Sequence, residues 1–286
     1  MNSIVHSYAQ LSLIVSRGAV FVVNFATLFF INCTVMVSFN NWVGVIDSGV
    51  GGLTILKQLQ RDFPSCNFLY LADSAYCPYG TKLPSQILQR VQLLIQFMQG
   101  CSAQALVIAC NTASVYADTL RQQFGMPIYD VIAPTCERVT QVTKSKRVAL
   151  LATNATVASR AYQRKLKESG VATVAFPCST FVPFVETNRG DTDECSEAVN
   201  KALANLAKCN VDAVILGCTH FPLLRKKIAP FTCGAEIVEC CTHFQPTCFC
   251  NGETVGQTVF LTTGEEKQAN HAAQWYGEVH FVHVDI

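Results

Sequence analysis

Two cysteines have similar neighbours in two distant parts of this sequence. Cys110 ends the apolar run ALVIAC (105–110), and Cys218 ends the run AVILGC (213–218), 108 residues later. A helical pattern follows each cysteine, so we expect each thiol beside a helix N-terminus, where backbone N–H groups favour a thiolate. Two thiols that face one carbon atom from opposite sides can remove a proton on one face and return one on the other. If the fold brings both cysteines to one cleft, the pair predicts inversion of a stereocentre.

The elements that would position these cysteines alternate between strand and helix. Short apolar runs predict strands at 42–46, 67–72, 105–109, 128–131, 148–152, 172–176, 213–216, 237–238, 258–261 and 279–284. Longer amphipathic segments predict helices at 53–61, 84–99, 113–124, 157–168, 193–209 and 265–275. This order favours parallel sheets covered by helices, in which ligands bind beyond the carboxyl ends of the strands.

The two halves of the chain can be overlaid in this pattern. ALVIACNTAS then superposes on AVILGCTHFP, with Cys110 over Cys218. We therefore predict an α/β fold with two pseudo-symmetric lobes, each a mostly parallel sheet flanked by helices, and an active site in the cleft between them. Residues 40–133 and 244–286 are expected to form lobe 1, and residues 134–243 lobe 2, with a linker near 133–146.

Composition excludes several classes of protein. Half of the 286 residues are hydrophobic and 14% are charged, which excludes a disordered chain. Lys and Arg number 21 against 20 Asp and Glu, a net charge of +1, and no basic run suggests a nucleic-acid partner. A chain of this length does not need its 15 cysteines as a disulfide scaffold, so we interpret most of them as reduced residues of a cytoplasmic protein.

The first 39 residues differ from the rest of the chain. Arg17 is the one formal charge before Ile46, and residues 18–39 are 22 residues without any, long enough to span a bilayer. Met36 stands directly before the globular pattern, so we favour the interpretation that residues 1–35 are a start-site artefact. A membrane anchor or a targeting segment is the alternative.

Several motifs of the chain resemble those of the cofactor-independent aspartate/glutamate racemase family. They span about 41–264, nearly the whole predicted globular body. CNTAS and GCTHFPLL, in this order and at this distance, are the most specific of them. The matching stretches are GVIDSGVGGLTIL (44–56), PYG (78–80), ALVIACNTAS (105–114), VALLATNATVAS (148–159), PFVE (183–186), DAVILGCTHFPLL (212–224) and FLTTG (260–264).

The resemblance implies roles for particular residues. Cys110 and Cys218 correspond to the family's two catalytic bases, the first acting on the D-isomer and the second on the L-isomer. Asp47, Glu186 and His220 match auxiliary polar residues near the thiols. Thr153 and Thr156 fall where the family uses hydroxyls for a substrate carboxylate. The implied substrate-binding residues are Asp47, Ser48, Tyr79, Gly80, Asn111, Thr112, Thr153, Thr156, Thr219 and His220.

The resemblance also implies an activity. The family interconverts L- and D-glutamate and so supplies D-glutamate for bacterial peptidoglycan. It implies a small-molecule substrate, no cofactor and no metal, and we expect a homodimer. None of the motif stretches contains a lysine that would form a Schiff base, and we interpret Lys57, which follows the first, as part of a helix face. Thiols suit proton transfer in both directions because their ordinary pKa, about 8.5, can be tuned toward neutrality.

The auxiliary residues have structural interpretations as well. Asp47 and His220 would handle protons for Cys110 and Cys218, or orient the substrate ammonium. Alternatively, Asp47 caps its loop, Thr219 is a helix N-cap, Glu186 is a solvated charge at a helix end, and His220 is a packing residue.

Three other functions stay open at this point. The first is a racemase of the same family that acts on aspartate or another amino acid. Sister enzymes tend to carry an acidic residue where His220 stands, so Cys-Thr-His (218–220) favours glutamate. The second is a cysteine-rich metal or redox binding module at 240–250, where Glu239-Cys240-Cys241 replaces the family's usual acidic-Ser-Ala run. The third is a membrane-anchored form of the same fold.

Overall fold

The computed structural model describes residues 11–16, 19–24, 35–37, 42–244 and 255–286. The strands are β1 (Leu11–Ser16), β2 (Ala19–Asn24), β3 (Val35–Val37), β4 (Trp42–Asp47), β5 (Asn67–Ala72), β6 (Ala103–Ile108), β7 (Ile128–Tyr129), β8 (Arg147–Ala152), β9 (Ala172–Pro177), β10 (Ala213–Gly217), β11 (Glu236–Glu239), β12 (Thr258–Thr262) and β13 (Phe281–His283).

Helices follow most of these strands. The α-helices are α1 (Leu53–Asp62), α2 (Pro84–Gly100), α3 (Asn111–Ser114), α4 (Ala117–Gln123), α5 (Ile132–Val142), α6 (Asn154–Ser159), α7 (Ala161–Glu168), α8 (Val182–Glu186), α9 (Asp193–Leu203), α10 (Arg225–Ile228) and α11 (Glu266–Ala272). Short 3₁₀ helices cover Ser74–Tyr76, Tyr79–Thr81, Ser179–Phe181, Leu206–Cys209, Phe221–Leu224 and Ala229–Phe231.

Two parallel sheets form the body of the protein. The first has six strands in the order β13-β12-β5-β4-β6-β7, and the second has four in the order β11-β10-β8-β9. Every strand pair in both sheets is parallel. The predicted α/β class, with two parallel sheets flanked by helices, is confirmed. The chain leaves the first sheet after β7 and returns to it with β12, and the exact lobe boundaries stay a prediction.

Both faces of each sheet are buried, which explains the nearly continuous apolar runs of the strands. Along β4, Val43 and Val45 pack into the core on one face, and Trp42 and Ile46 into the core on the other. Strand β8 alternates in the same way between two cores of the second sheet. Because successive side chains point to opposite faces, each strand is held on both sides, and the loops at its carboxyl end have a rigid support.

Three predicted elements differ from the structure. The predicted linker near 133–146 lies between β7 of the first sheet and β8 of the second, and helix α5 occupies most of it. Asp130 Oδ1 accepts hydrogen bonds from the N–H groups of Ile132 and Ala133, and so satisfies the first turn of α5. The helix predicted at 157–168 is divided at Arg160, which has a left-handed φ of 55°. The helix predicted at 193–209 ends at Leu203 and continues as a 3₁₀ turn.

The N-terminal part of the described chain is a separate sheet. Strands β1, β2 and β3 form a three-stranded antiparallel sheet in the order β2-β1-β3. Among the described residues, no helix combines the length and apolarity needed to cross a membrane. Much of the uncharged segment 18–39 lies outside the described residues, so the interpretations of residues 1–39 stay predictions.

Candidate active site

The two cysteines follow β6 and β10, which lie beside β4 and β8, the strands at which each sheet reverses its order. Strand β4 lies between β5 and β6, and β8 lies between β9 and β10. Ile46 of β4 pairs with Ile108 of β6, two residues before Cys110. Ala152 of β8 pairs with Gly217 of β10, one residue before Cys218. Such reversals open a crevice at the carboxyl ends of the strands. Asp47 and Cys110 therefore meet at one crevice, and Thr153 and Cys218 at the other.

Both crevices open into one cavity between the sheets. Cys110 and Cys218 are each 5% exposed. The lining residues come from both sheets: Ser48, Pro78, Tyr79, Gly80, Cys110, Asn111, Thr112, Thr153, Val182, Cys218, Thr219 and His220. The space between their atoms is narrow and accommodates about one water molecule. The two thiols thus line the same small cavity between the sheets, as expected if the fold brings both cysteines to one cleft.

Glu186, His220 and Cys218 form a chain of three interacting side chains. His220 Nδ1 lies 3.5 Å from Cys218 Sγ, and His220 Nε2 lies 2.5 Å from Glu186 Oε1. His220 is 1% exposed, and its burial opposes the charged imidazolium. The interactions with Cys218 and Glu186 together outweigh that burial, and they raise the pKa of His220 well above its ordinary value. Glu186 therefore stabilises an imidazolium that would form when His220 takes the Cys218 proton.

A glycine-rich loop after β4 lets this group approach the other lobe. Val50 N–H donates to Glu186 Oε1 at 2.9 Å. A Cβ at Gly49 would overlap the Glu186 carboxylate, and a Cβ at Gly51 would lie 2.6 Å from His220 Nδ1. The sequence Gly-Val-Gly therefore permits a close contact between the lobes at the position of Glu186 and His220.

Cys110 has different surroundings. Its thiol lies 3.7 Å from Ser48 Oγ. Burial, followed by the nearby Asp47 carboxylate, raises the pKa of Cys110 to about 12. The N–H of Ala113, in the first turn of α3, lowers this pKa as expected for a helix N-terminus, but burial outweighs it. Helix α3 has four residues, and its N–H groups do not offset the loss of water around the sulfur.

The Asp47 carboxylate accepts hydrogen bonds from residues on both sides of the cleft. Its Oδ2 accepts from Gly49 N–H at 3.1 Å, and its Oδ1 accepts from Thr219 Oγ1 at 3.2 Å. Burial raises the pKa of Asp47 to about 6, although His220 and the Gly49 N–H lower it. The thiol of Cys110 contacts Ser48 rather than Asp47, so the role of Asp47 stays a prediction.

The free energy of unfolding should depend on pH through Asp47. Its folded pKa, about 6, lies above its ordinary value of 3.8, so folding favours the protonated carboxyl. That stabilisation is complete below pH 3.8 and is lost as the pH rises through 6. The difference corresponds to about 3 kcal/mol. Asp47→Asn cannot ionise, so urea unfolding should show wild type losing about 2 kcal/mol relative to the variant between pH 4 and 7. Parallel pH curves would contradict the raised pKa.

Three hydroxyl groups form a closed triangle at the cavity. Thr112 Oγ1 lies 2.9 Å from Thr153 Oγ1 and 3.1 Å from Thr156 Oγ1, and the last two are 2.9 Å apart. Thr153 also accepts from the N–H of Thr156 as the N-cap of α6. All three side chains are buried. Since hydroxyls rotate and both donate and accept, the triangle can turn its hydrogens toward a carboxylate.

An ion pair behind the Tyr79-Gly80 segment was missed by the sequence analysis. Asp73 is fully buried and accepts from Tyr79 Oη at 2.6 Å and from Thr263 Oγ1 at 2.8 Å. Arg90 completes the group with two hydrogen bonds to Asp73, at 2.6 and 2.9 Å. Four donors on one carboxylate hold the loop that carries Tyr79 and Gly80 into the cavity.

Replacing Arg90 with methionine should destabilise the protein. The Asp73 side chain is 0% exposed, so the substitution leaves a buried carboxylate without its cation. We expect a loss of about 3–5 kcal/mol in the free energy of unfolding, measured with urea. Arg61→Met is the matched control, because its ion pair with Asp62 is exposed and should not change stability measurably. Equal stability of the two variants would show that the Asp73 group does not hold this loop.

Comparison with known proteins agrees with this geometry. Residues 53–242 match the sequence model of the Asp/Glu/Hydantoin racemase family. The chain belongs to this family. Glutamate racemase from Aquifex aeolicus is 36% identical over 198 residues, which cover 69% of this chain and 78% of that protein.

Solved structures extend the likeness to the fold. A glutamate racemase isoform from Bacillus anthracis superposes with a TM-score of 0.80 at 28% identity, covering 87% of this chain and 99% of that one. Glutamate racemase from Francisella tularensis, in complex with D-glutamate, superposes with a TM-score of 0.75 at 25% identity, covering 87% and 98%. The predictions of a racemase family and an isomerase are confirmed.

The structure brings the predicted site residues of this racemase family member together in two layers. Ten of them line the cavity. The other three do not line the cavity but are hydrogen-bonded to residues that do. Asp47 bonds to Thr219, Thr156 bonds to Thr112 and Thr153, and Glu186 bonds to His220. Their individual roles in catalysis stay predictions.

The cysteine-rich segment does not act as a separate unit in the described residues. Cys240 is buried and contacts Asn111 of the cavity. Within 42–244 and 255–286, no group of three or more His, Cys, Asp or Glu is arranged to hold a metal ion. Cys248 and Cys250 lie outside the described residues, so the module hypothesis is not tested there.

Proposed function

We propose that this protein interconverts L- and D-glutamate by proton transfer at Cα, with Cys110 and Cys218 as the two bases. The observation that carries this proposal is the position of the two thiols, at equivalent strand ends of two sheets and on one closed cavity. One thiolate takes the α-proton from one face of the carbon, and the opposite thiol gives its proton to the other face. After a turnover the two cysteines have exchanged protonation states.

The Cys218 side of the cavity supplies its own base. With His220 Nε2–H donating to Glu186, the Nδ1 atom is the acceptor that faces the Cys218 thiol. Transfer of the Cys218 proton to Nδ1 gives a thiolate beside an imidazolium, and Glu186 stabilises the pair. The family resemblance implies that Cys218 acts on the L-isomer, and the geometry adds His220 as its proton acceptor.

The Cys110 side depends more on the substrate. Its raised pKa means that the buried thiol is neutral at neutral pH. A substrate ammonium beside Asp47 would bring a positive charge next to the sulfur, and that charge favours the thiolate. The family resemblance implies that Cys110 acts on the D-isomer, and the structure adds Ser48 as its hydrogen-bond partner.

Neutral donors would bind the substrate carboxylates. Of the described residues that line the cavity, none is a lysine or an arginine. The Thr112, Thr153 and Thr156 hydroxyls and the Asn111 amide supply hydrogen bonds instead. In a cavity without water such donors stabilise negative charge that develops during proton abstraction.

The lobes would need to move apart for binding. A cavity with room for about one water molecule cannot admit glutamate. Two contacts across the cleft would open, the one between Val50 and Glu186 and the one between Asp47 and Thr219. In each pair, one residue comes from each side of the cleft. Closure over the substrate would then exclude water from the thiols.

Glutamate is favoured over aspartate by two observations. The relative and the two structures compared above are glutamate racemases, one of them in complex with D-glutamate. His220 also occupies the position at which sister enzymes tend to carry an acidic residue. A racemase specific for aspartate is the alternative outcome of the assay.

The assay follows the α-carbon directly. Purified protein is incubated separately with L-glutamate and L-aspartate in D₂O without added cofactor, and chiral analysis and mass spectrometry follow the product. We expect D-glutamate that carries one solvent deuterium at Cα. Formation of D-aspartate alone would assign the other substrate, and a requirement for pyridoxal phosphate would contradict the two-thiol mechanism.

Three further predictions concern the cellular setting. Supply of D-glutamate to peptidoglycan follows from the proposed activity, and depletion of the protein should then be rescued by external D-glutamate. The cytoplasmic location rests on the cysteine content, and eleven thiols in the described residues are free. Cell fractionation tests that location, and sedimentation tests the predicted homodimer.

A further inference from the structure

The Asn111 amide is held by two side chains that no motif of the sequence indicated. Tyr162 Oη lies 2.5 Å from Asn111 Oδ1. That distance suits an O–H···O hydrogen bond and is too short for a bond from an amide N–H. The amide atom that faces Tyr162 is therefore the oxygen, which decides the orientation of the carboxamide.

Cys240 supplies a second donor to the same oxygen. Its Sγ lies 3.2 Å from Asn111 Oδ1 and 3.0 Å from the carbonyl oxygen of Leu216, so its one hydrogen lies between two acceptors. Burial raises the pKa of Cys240 to about 12 and keeps the thiol protonated. Tyr162 is likewise fully buried, and its pKa lies well above the ordinary value. Both groups are thus hydrogen donors at neutral pH.

The amide nitrogen of Asn111 is left without a partner. Asn111 is 2% exposed, and its Nδ2 has no hydrogen-bond partner among the described residues. A buried donor without an acceptor is unfavourable, so such a group indicates a ligand that completes it. Asn111 lines the cavity beside Cys110 and Thr112, where an acceptor of the substrate would lie.

We propose that Tyr162 and Cys240 are positioning residues, which fix the Asn111 amide so that its two N–H donors are available to a substrate carboxylate. Neither residue lines the cavity, and both act through Asn111. This inference rests on the proposed function, because it takes an amino acid as the ligand. It also assigns a role to a cysteine of the 240–250 segment, within the active site rather than in a metal or redox module.

The test removes each donor separately and measures KM and kcat for L-glutamate. Tyr162→Phe and Cys240→Ala should each raise KM about threefold to tenfold, the range expected for one hydrogen bond, while kcat changes less than twofold. Cys240→Ser should restore KM to within twofold of wild type, because a hydroxyl donates to the same oxygen. Cys195→Ala is the matched control, a buried thiol on α9 away from the cavity, and should leave KM unchanged.

A double-mutant cycle separates positioning from general destabilisation. In an Asn111→Ala background, Tyr162→Phe should have no further effect on KM, since its target is absent. An unchanged KM in Cys240→Ala, or equal KM values for Cys240→Ala and Cys240→Ser, would overturn the inference. If Tyr162→Phe does not fold, the two Cys240 variants decide the question alone. If wild type racemises no amino acid, the proposed function fails instead, which the first assay shows.

Discussion

Replacing Cys110 or Cys218 with alanine is expected to lower the rate of glutamate racemisation about 10⁴-fold, to the limit of detection. Each substitution removes the thiol that the proposed mechanism requires on one face of the substrate, so a proton can be taken or returned, but not both. L- and D-glutamate have equal free energies in water, so kcat/KM must fall equally in both directions. Chiral chromatography of reactions started from each enantiomer measures the loss.

The matched control is Cys101→Ala, which removes a free thiol, 2% exposed, from the core of the six-stranded sheet. It should keep kcat and KM while lowering stability. Residual exchange of the α-proton with D₂O should be restricted to D-glutamate in Cys218→Ala and to L-glutamate in Cys110→Ala. Racemisation at the wild-type rate in either cysteine variant would rule out the two-base mechanism.

His220→Asn is expected to lower kcat about 10²- to 10³-fold, because Cys218 then loses the imidazole that accepts its proton. This expected loss rests on two contacts of His220. Its Nδ1 lies 3.5 Å from Cys218 Sγ, and its Nε2 bonds to Glu186. KM should change little, since the substitution keeps a polar side chain at the cavity wall. Steady-state kinetics with both enantiomers provide the measurement.

Glu186→Gln is the graded comparison for this second prediction. A glutamine keeps a hydrogen-bond acceptor for His220 Nε2–H but no longer stabilises an imidazolium, so we expect a loss smaller than that of His220→Asn. Thr54→Ala controls for small changes at the lobe contact, because its hydroxyl donates to Gly51 and Thr219 carbonyls without reaching the thiols. A His220→Asn variant with wild-type kcat would assign His220 to packing alone.

The fold was largely predictable because hydrophobic periodicity is a local property. Strands such as β4 and β6 are buried on both faces, and their apolar runs are visible without any alignment. Helix α5 was not predicted within the linker segment, because the N–H partners of its Asp130 cap are visible only in the structure. The break at Arg160 depends on a left-handed φ, and the sequence has no glycine at this position to indicate it.

The site was predictable only where the chemistry stands in short motifs. Cys110 and Cys218 each stand just after a strand. Because ligands of parallel sheets bind beyond the carboxyl ends of the strands, this position identified both cysteines as candidates. The group of Asp73, Arg90 and Thr263 was missed because its members are up to 190 residues apart in sequence. Tyr162 was missed for the same reason, since it meets Asn111 from 51 residues away.

The sequence by itself determined the class of fold, the two thiols and the polar residues that accompany them. These depend on the order of neighbouring residues, which decides strand, turn and helix. Only the tertiary structure decided that Glu186 belongs to Cys218 through His220, that Ser48 contacts Cys110, and that burial keeps Cys110 protonated. Hydrogen-bond partners and the loss of water depend on distances between remote segments, and those exist only once the two sheets have packed together.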